Sequence, residues 1–395
     1  MMHLFINALA ASAGGGLTYL RNVIPHLAKR DDVRATLLVS GQLRSELPES
    51  KNISFLHANE PSGTAARFGF EQRAVRGFIA RSQADVLLSA GNFAIWNSPV
   101  PQILLSRNSL YTSRHFESDL RDRGEYGLWI DTHLKGALAK WSIGVADCTV
   151  APSEAFAHEL RQWTGREIMA IHHGFDRSTF VSDRSTLPAT IQEQLCSKAN
   201  AFRLLFVSHY NYYRNFETLF RAMPLIKKRL GSREVVLFLT CKLGPGTNPG
   251  AYSPDLAAAL VRQLGVSNEV VELKTVPYGL LHHVYRASDV YVSPGYAESF
   301  AHPLVEAMSS GIPVVASDLA VHKEVCGSAA LYFERFSAER LAERVMEIAR
   351  SPQLAAQLSR TGIERSTAFS WKGHVESIVA LAENLIFRQS VRKQR

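Results

Sequence analysis

Two glutamates, Glu298 and Glu306, stand eight residues apart in a segment that has the pattern of a strand end, a turn and a new helix. Pro303 suits the first turn of that helix, where an N–H group has no partner. The peptide N–H groups of Phe300–His302 are then expected to point out of the helix N-terminus, which favours an anion there. Glu298 could accept hydrogen bonds from ligand hydroxyls, and Glu306 could hold a diol such as ribose. The segment therefore predicts neighbouring sites for phosphate, sugar and ribose.

The same residues leave a second interpretation open. An ordinary loop and an amphipathic helix would have this pattern too, with Glu306 merely solvated, since carboxylates are mostly exposed. The elements around the segment must therefore be considered with it.

Short apolar runs rich in Val, Ile and Leu alternate with helical segments along the whole chain. This alternation is typical of buried parallel strands and predicts two doubly wound, Rossmann-like α/β domains. The predicted strands of the first half are His3–Asn7, Ala35–Ser40, Ile53–His57, Asp85–Ser89, Gln102–Ser106 and Cys148–Ala151. Those of the second half are Arg203–Ser208, Glu234–Thr240, Val270–Lys274, Asp289–Ser293 and Pro313–Ser317. A polar stretch around Pro188 separates the two series, so we place the domains at residues 1–190 and 191–370.

Ligands of open α/β sheets bind beyond the carboxyl ends of the strands. The segments that follow predicted strands are Gly14–Gly16, Gly91–Asn92, Arg107–Asn108, His209–Arg214, Lys274–Thr275 and Pro294–His302. Gly15 and Gly16 would let a ligand approach the backbone just before a helix that we predict from about Thr18 to Lys29. The glycines do not form G-x-G-x-x-G, so a tight turn without a ligand is the alternative.

Composition limits the class of protein only loosely. A hydrophobic content of 46% and a charged content of 20% are ordinary for a globular chain, and no apolar run is long enough to span a bilayer. The formal net charge of +8 favours anionic partners. The four cysteines form no C-x-x-C pair, which suits a reducing cytoplasm. The first residues lack the positive charge of a signal peptide, so we expect them to belong to the fold.

Residues 298–318, E-S-F-A-H-P-L-V-E-A-M-S-S-G-I-P-V-V-A-S-D, resemble the donor-binding signature of the retaining glycosyltransferase family 4, also called group 1. The resemblance covers most of residues 200–375 and is weaker before them. It implies a GT-B fold, with two Rossmann-like domains facing each other across a cleft and a last helix, about residues 371–390, packing back on the first domain. It also implies transfer of a sugar, with retention of anomeric configuration, from a nucleoside-diphosphate-sugar donor to a saccharide or lipid-linked acceptor. No metal or other cofactor is expected, and the family suggests surface polysaccharide or glycolipid synthesis in the cytoplasm, in peripheral contact with the anionic inner face of the membrane.

The resemblance also implies roles for residues. Glu298 would bind the donor sugar, and Glu306 would bind the nucleotide ribose. The N–H groups of Phe300, Ala301 and His302 would bind the phosphate and the sugar hydroxyls. Gly15, Gly16, Lys274 and Thr275 lie in the segments beyond the strand ends, so we expect them to contact the nucleotide-sugar donor as well.

Several positions depart from the family pattern. Where the family has an arginine and a lysine for the diphosphate, this chain has His209 and Arg214. Arg214 can hold phosphate bidentately, whereas a neutral imidazole adds no fixed charge, and a purely structural His209 is the alternative. Ser299 and Ala301 stand at the glycine positions of the family's G-F-G, which narrows the space beside the ligand.

A histidine that many family members carry near the reacting carbon is replaced here by Arg107 and Asn108. Asn108 could orient the acceptor hydroxyl, but an amide cannot act as a general base. This fits a mechanism in which the leaving diphosphate takes the acceptor proton. We therefore assign catalysis to Glu298, Arg214 and Asn108.

Residues 114–141 are rich in arginine, lysine and aromatic residues. They predict either a partly buried pair of helices or a surface that faces the acceptor or a membrane. Two rival functions stay open as well. A nucleotide-sugar epimerase of the same architecture would need no acceptor, and a basic protein could bind an anionic surface or nucleic acid. Because the basic residues are scattered, we expect no nucleic-acid partner.

Overall fold

The computed structural model describes residues 1–10, 14–40, 50–59, 61, 63–244, 246 and 252–394. The chain divides into two compact units. Unit 1 comprises Met1–Thr112, Ile130–Gly174 and Ser370–Arg395, and unit 2 comprises Ser113–Trp129 and Phe175–Phe369. The main part of unit 2 begins at residue 175. The predicted boundary near residue 190 lies further along the chain, within unit 2, at the start of the helix Ala189–Cys196.

Unit 1 is built on a seven-stranded parallel sheet. Its strands are β1 Met2–Asn7, β2 Val33–Ser40, β3 Ile53–Ala58, β4 Val86–Ser89, β5 Gln102–Leu105, β6 Cys148–Ala151 and β7 Ile168–Ala170. Their order across the sheet is β3-β2-β1-β4-β5-β6-β7. The helices in this part of the chain are α1 Gly14–Leu27, α2 Thr64–Ser82, α3 Arg114–Asp122, α4 Tyr126–Val145 and α5 Glu154–Thr164. Of these, α3 and the first four residues of α4 lie in unit 2.

Unit 2 is built on a six-stranded parallel sheet. Its strands are β8 Phe202–Phe206, β9 Val235–Leu239, β10 Val270–Glu272, β11 Val290–Ser293, β12 Val314–Ser317 and β13 Ala330–Phe333. Their order is β10-β9-β8-β11-β12-β13. The helices are α6 Arg177–Phe180, α7 Ala189–Cys196, α8 Phe216–Leu230, α9 Asp255–Gln263, α10 Leu281–Arg286, α11 His302–Ser310, α12 Ala320–Cys326, α13 Ala338–Arg350 and α14 Pro352–Ser366.

The predicted fold class, two doubly wound Rossmann-like α/β domains, is confirmed. Every predicted strand is present, with its ends shifted by at most about two residues. Strands β7 and β13 were not predicted. Both are short strands at sheet edges with partly exposed residues, so they lack the buried apolar run that marks the others. Helix α1 begins at Gly14 and not near Thr18, so the glycines form its first turn, while residues 11–13 lie outside the described residues.

The last helix, α15 Trp371–Gln394, belongs to unit 1. Its buried face, which includes Val375 and Ile378, shares one hydrophobic cluster with Leu4 of β1. The entry to the helix is tightly packed, because a Cβ at Gly174 would lie 2.0 Å from the backbone nitrogen of Trp371. Only glycine fits at residue 174.

Within the described ranges, no helix is both long and apolar enough to cross a membrane.

Candidate active site

The loops that follow β8 and β11 are bonded to each other. The two strands are parallel neighbours, so both loops leave the same edge of the sheet. The Tyr296 N–H donates to the carbonyl oxygen of Tyr213 at 3.0 Å, and the side-chain amide of Asn215 donates to the carbonyl oxygen of Pro294 at 3.0 Å. These bonds lie on both sides of Arg214 in the sequence and therefore hold it against the β11 loop.

Arg214 and Glu298, both predicted site residues, form an ion pair at this edge. The Glu298 side chain is 8% exposed and that of Arg214 is 23% exposed, so water screens the pair only weakly. The Arg214 guanidinium also lies 5.2 Å from the ring centre of Tyr213. Its Nε is buried and has no hydrogen-bond partner among the described residues. Glu298 and the ring of Tyr213 therefore hold the Arg214 guanidinium in place, and its Nε–H remains available as a donor.

Helix α11 begins directly after the β11 loop, with Pro303 in its first turn as predicted. Ala301 precedes the helix at a φ of 63°, in the left-handed region that favours glycine. This is one of the two positions where the family resemblance expects glycine. Phe300 is buried and packs its ring on His302 at 4.9 Å and on Phe369 at 5.4 Å between ring centres, while Ser299 is half-buried.

Glu306 is buried within α11 and is only 5% exposed, so the interpretation in which it is solvated is wrong. The hydroxyl of Tyr285 donates to Glu306 Oε2 at 2.9 Å. Burial raises the pKa of Glu306 to about 7, while hydrogen bonds from Tyr285 and Tyr278 act in the opposite direction. Tyr278 is about half exposed as a residue, but burial of its hydroxyl, and then the charge of Glu306, raise its own pKa, so the hydroxyl lies on the buried side of the ring. A ligand diol would meet a carboxyl group that is half ionised near neutral pH.

The other predicted donor contacts of unit 2 lie on exposed loops. His209 follows β8 and is exposed; partial burial, and then the charge of Arg214, lower its pKa, so the imidazole is neutral at pH 7. Lys274 and Thr275 follow β10, at the edge of the sheet, and both are exposed. Lys274 adopts a φ of 66°. Arg214 and Glu298 are thus joined by an ion pair, whereas His209, Lys274 and Thr275 form no side-chain ion pair among the described residues.

In unit 1, Gly15 and Gly16 lie in the first turn of α1. The side-chain oxygen of Asn108 accepts the Leu110 N–H at 3.1 Å and caps a short 3-10 turn. Burial raises the pKa of the neighbouring Tyr111, and the Asn108 side chain acts in the opposite direction. This side chain has a structural role whether or not it also meets an acceptor, and its catalytic role stays a prediction.

Sequence reasoning gave no site role to Tyr278 and Tyr285, which contact Glu306, or to His322, whose segment belongs to the family resemblance. His322 is fully buried, and its Nδ1 lies 3.0 Å from Ser317 Oγ, which donates to the Gly295 carbonyl at 2.6 Å. Burial lowers the pKa of His322 to about 3, so it stays neutral beside Arg214. The signals were a tyrosine and a histidine among the buried residues of the short helices α10 and α12, which is too common a pattern to point to a site.

Each of the two Rossmann-like units is built on a sheet of parallel strands. The second unit has a cation, a carboxylate and a helix N-terminus at one edge of its sheet. These features define a protein of the GT-B glycosyltransferase fold. The sucrose-phosphate synthase of Thermosynechococcus elongatus superimposes with a TM-score of 0.80 at 19% identity, over 98% of this chain and all of that one (100%). Anabaena HepE in complex with UDP-glucose gives a TM-score of 0.71 at 16% identity, over 97% of this chain and 100% of that chain.

Two family profiles match the sequence, "Glycosyl transferases group 1" over residues 189–365 and "Glycosyltransferase Family 4" over residues 13–179. The chain belongs to this family of group 1, or family 4, glycosyltransferases. The D-inositol 3-phosphate glycosyltransferase of Actinosynnema mirum is 31% identical over 49% of this chain and 47% of its own length. That of Mycolicibacterium vanbaalenii is 30% identical over 60% of this chain and 53% of its own length. The chain spans about half the length of the curated relatives it matches.

Proposed function

We propose that this chain transfers a sugar from a nucleoside-diphosphate-sugar to a hydroxyl group of a saccharide or lipid-linked acceptor, with retention of anomeric configuration. The observation that carries the proposal is the Arg214–Glu298 ion pair at the start of helix α11, which buries a second carboxylate, Glu306. A purely structural ion pair requires neither that carboxylate nor an unused donor on Arg214. The three groups match the diphosphate, the sugar and the ribose of such a donor.

Arg214 and Glu298 compensate each other's charge in this structure. A donor diphosphate would compete with Glu298 for the guanidinium, because arginine binds phosphate and carboxylate with the same bidentate geometry. The carboxylate released in this way can accept hydrogen bonds from the sugar hydroxyls. One rearrangement would thus prepare both ends of the donor site, with the diphosphate as the counter-ion of Arg214 and the sugar hydroxyls as hydrogen-bond donors to Glu298.

In the proposed reaction, the bond between the anomeric carbon and the diphosphate oxygen breaks while the acceptor oxygen bonds to that carbon on the same face. The acceptor proton passes to the departing diphosphate oxygen, so no side chain has to act as a base. Arg214 and the N-terminus of α11 would stabilise the negative charge that grows on the diphosphate. Because these groups supply positive charge there, we propose activity without a metal or another cofactor.

The surface of unit 1 supports peripheral contact with the anionic inner face of a membrane. Ile130, Leu134, Trp141 and Val145 lie along one face of α4 and are 52%, 64%, 54% and 40% exposed. An exposed apolar stripe on a chain with a formal net charge of +8 suits an interface between acyl chains and acidic headgroups. We propose synthesis of a surface polysaccharide or glycolipid in the cytoplasm on this basis.

Calorimetric titration with UDP, GDP and ADP, each with and without Mg²⁺, tests the donor site. We expect one diphosphate to bind the wild type without Mg²⁺ and to bind the Glu306→Ala variant at least tenfold more weakly. Binding that needs Mg²⁺ would contradict metal independence. Absence of binding to all three would contradict the donor assignment, and steeply salt-dependent binding to nucleic acid would then favour the anionic-surface function. Conversion of a nucleotide-sugar to its epimer without an acceptor would favour the epimerase.

A further inference from the structure

Residues 113–129, which we call the α3 segment, follow the first five strands of unit 1 in the sequence but belong to unit 2. Asp119 and Arg123 of this segment form an ion pair at 2.7 Å, and their side chains are only 21% and 14% exposed. Charged groups that are buried to this extent need polar partners. Those partners lie on the loops that carry Arg214 and Glu298.

Each of these two loops has a tyrosine two residues before its charged side chain. In the β11 loop, the hydroxyl of Tyr296 donates to Asp119 Oδ2 at 2.5 Å. Burial, and then the charge of Asp119, raise the pKa of Tyr296, so the hydroxyl keeps the proton that it donates. In the β8 loop, the hydroxyl of Tyr212 donates to Glu125 Oε1 at 2.6 Å. Both tyrosines are buried, and each loop is therefore held by one carboxylate of the α3 segment.

Arg123 joins the α3 segment to the helix that follows Arg214. Its Nη2 donates to Glu217 Oε1 at 3.0 Å, in the first turn of α8. The hydroxyl of Tyr210 donates to the same oxygen at 3.1 Å, and the guanidinium lies 4.2 Å from the ring centre of Tyr212. A polar network whose members are all paired rigidifies the elements that it joins. The network thus reaches both flanks of the β8 loop.

We propose that the α3 segment positions the donor site, with Asp119 and Arg123 acting through the two loops on Arg214 and Glu298. The assignment rests on the proposed transferase function. The loops are bonded to each other, and the α3 segment anchors both of them to a helix. Ligand-binding groups hold a precise geometry when surrounding side chains lock them in place. When a donor opens the Arg214–Glu298 ion pair, the α3 segment would keep the loops where they are. Asp119 and Arg123 are positioning residues, since they act through the loops and not on the donor itself.

Asp119→Asn is the test variant, because it removes the charge that pairs with Arg123 and weakens the acceptor of the Tyr296 hydroxyl. Asp289→Asn is the matched control. It breaks the ion pair of Asp289 with Arg203 at 3.0 Å, which joins β8 to β11 at the opposite end of the same two strands. The full-length proteins are compared by amide hydrogen exchange without ligand and by calorimetric titration with UDP, GDP and ADP.

The amides of Asn215 and Tyr296, both bonded to loop carbonyls, report on the loops. We expect them to exchange about tenfold faster in Asp119→Asn than in the wild type, and at the wild-type rate in Asp289→Asn. The nucleoside diphosphate that binds the wild type should bind Asp119→Asn about tenfold more weakly and Asp289→Asn equally well. Tyr296→Phe, which removes only a hydroxyl, should give the same losses as Asp119→Asn. In an Arg214→Met background, Asp119→Asn should cause no further loss of affinity, because a positioning residue acts only through the group that it positions.

Unchanged exchange of the two amides in both Asp119→Asn and Tyr296→Phe, or an equal increase in Asp289→Asn, would overturn the proposal. So would a loss of affinity from Asp119→Asn that persists in full in the Arg214→Met background. If the exchange accelerates as expected but none of the three diphosphates binds the wild type, the proposed transferase function fails, while the anchoring of the loops by the α3 segment stands.

Discussion

Replacing Glu306 by glutamine removes a buried charge and keeps the shape of the side chain. Burial raises the pKa of Glu306 from 4.5 to about 7, against the hydrogen bonds of Tyr285 and Tyr278. A carboxyl group whose pKa is higher in the folded state stabilises the fold at low pH and loses that contribution as the pH rises through the folded pKa. At about 1.4 kcal/mol per pKa unit, ionisation of Glu306 lowers the free energy of unfolding by roughly 3 kcal/mol at pH 8.

Glu306→Gln should therefore raise the free energy of unfolding by up to about 3 kcal/mol at pH 8, and by less than about 1 kcal/mol at pH 5. Urea denaturation of both proteins at the two pH values measures the difference. Tyr285→Phe is a matched control, because it removes a hydrogen bond to the same carboxylate and should raise the pKa of Glu306 further.

The same substitution should weaken binding of a nucleotide-sugar and make it independent of pH. A ribose diol donates two hydrogen bonds, which only the ionised carboxylate accepts in full. With a pKa of about 7 for Glu306, the wild-type affinity at pH 6 should be about a tenth of the plateau above pH 8. Calorimetry at pH 6, 7 and 8 measures it, with a nucleotide-sugar as ligand because its diphosphate does not titrate in this range. Normal binding by Glu306→Gln together with a flat wild-type profile would refute a role for Glu306 in ribose binding.

Three further outcomes follow from the structure. Ala301→Gly should raise the free energy of unfolding by about 0.5 kcal/mol in urea titrations, because relief of the left-handed backbone at a φ of 63° exceeds the added entropy of the unfolded chain; a loss above about 1 kcal/mol would contradict this. Gly174→Ala should lower the free energy of unfolding by about 2 kcal/mol or more, because its Cβ would lie 2.0 Å from the backbone of Trp371, whereas Gly77→Ala, with open space at the Cβ, should change it by less than about 1 kcal/mol. Leu134→Ser should reduce sedimentation with phosphatidylglycerol vesicles several-fold and leave nucleotide affinity unchanged; equal sedimentation of both proteins would contradict membrane contact through α4.

Much of the fold could be predicted because its strands are buried on both faces. Val235–Leu239, for example, is an uninterrupted apolar run that is fully buried in the sheet, and such runs need no partner to be recognised. Strand β13, Ala330–Phe333, could not be predicted in this way, since its middle residues are partly exposed and its pairing with β12 depends on the tertiary fold. The assignment of residues 113–129 to unit 2 depends on long-range contacts as well, such as the ion pair of Arg123 with Glu217.

The candidate site likewise has a part that the sequence predicts and a part that it does not. Glu298, Pro303 and Glu306 belong to one contiguous segment, so their spacing predicts a shared site. The hydrogen bond from Tyr285 to Glu306 spans 21 residues of the chain, and the one from Arg107 to the Gly15 carbonyl spans 92. A side chain's partner across such a separation is decided by packing, and the residue type alone does not reveal it.

A crystal structure of the chain with the nucleoside diphosphate that binds it would test the donor site most directly. We predict that the ribose hydroxyls lie within hydrogen-bond distance of the Glu306 carboxylate and that Arg214 has left Glu298 for the diphosphate. A nucleotide bound elsewhere, with the Arg214–Glu298 ion pair intact, would contradict the assignment of the donor site to unit 2.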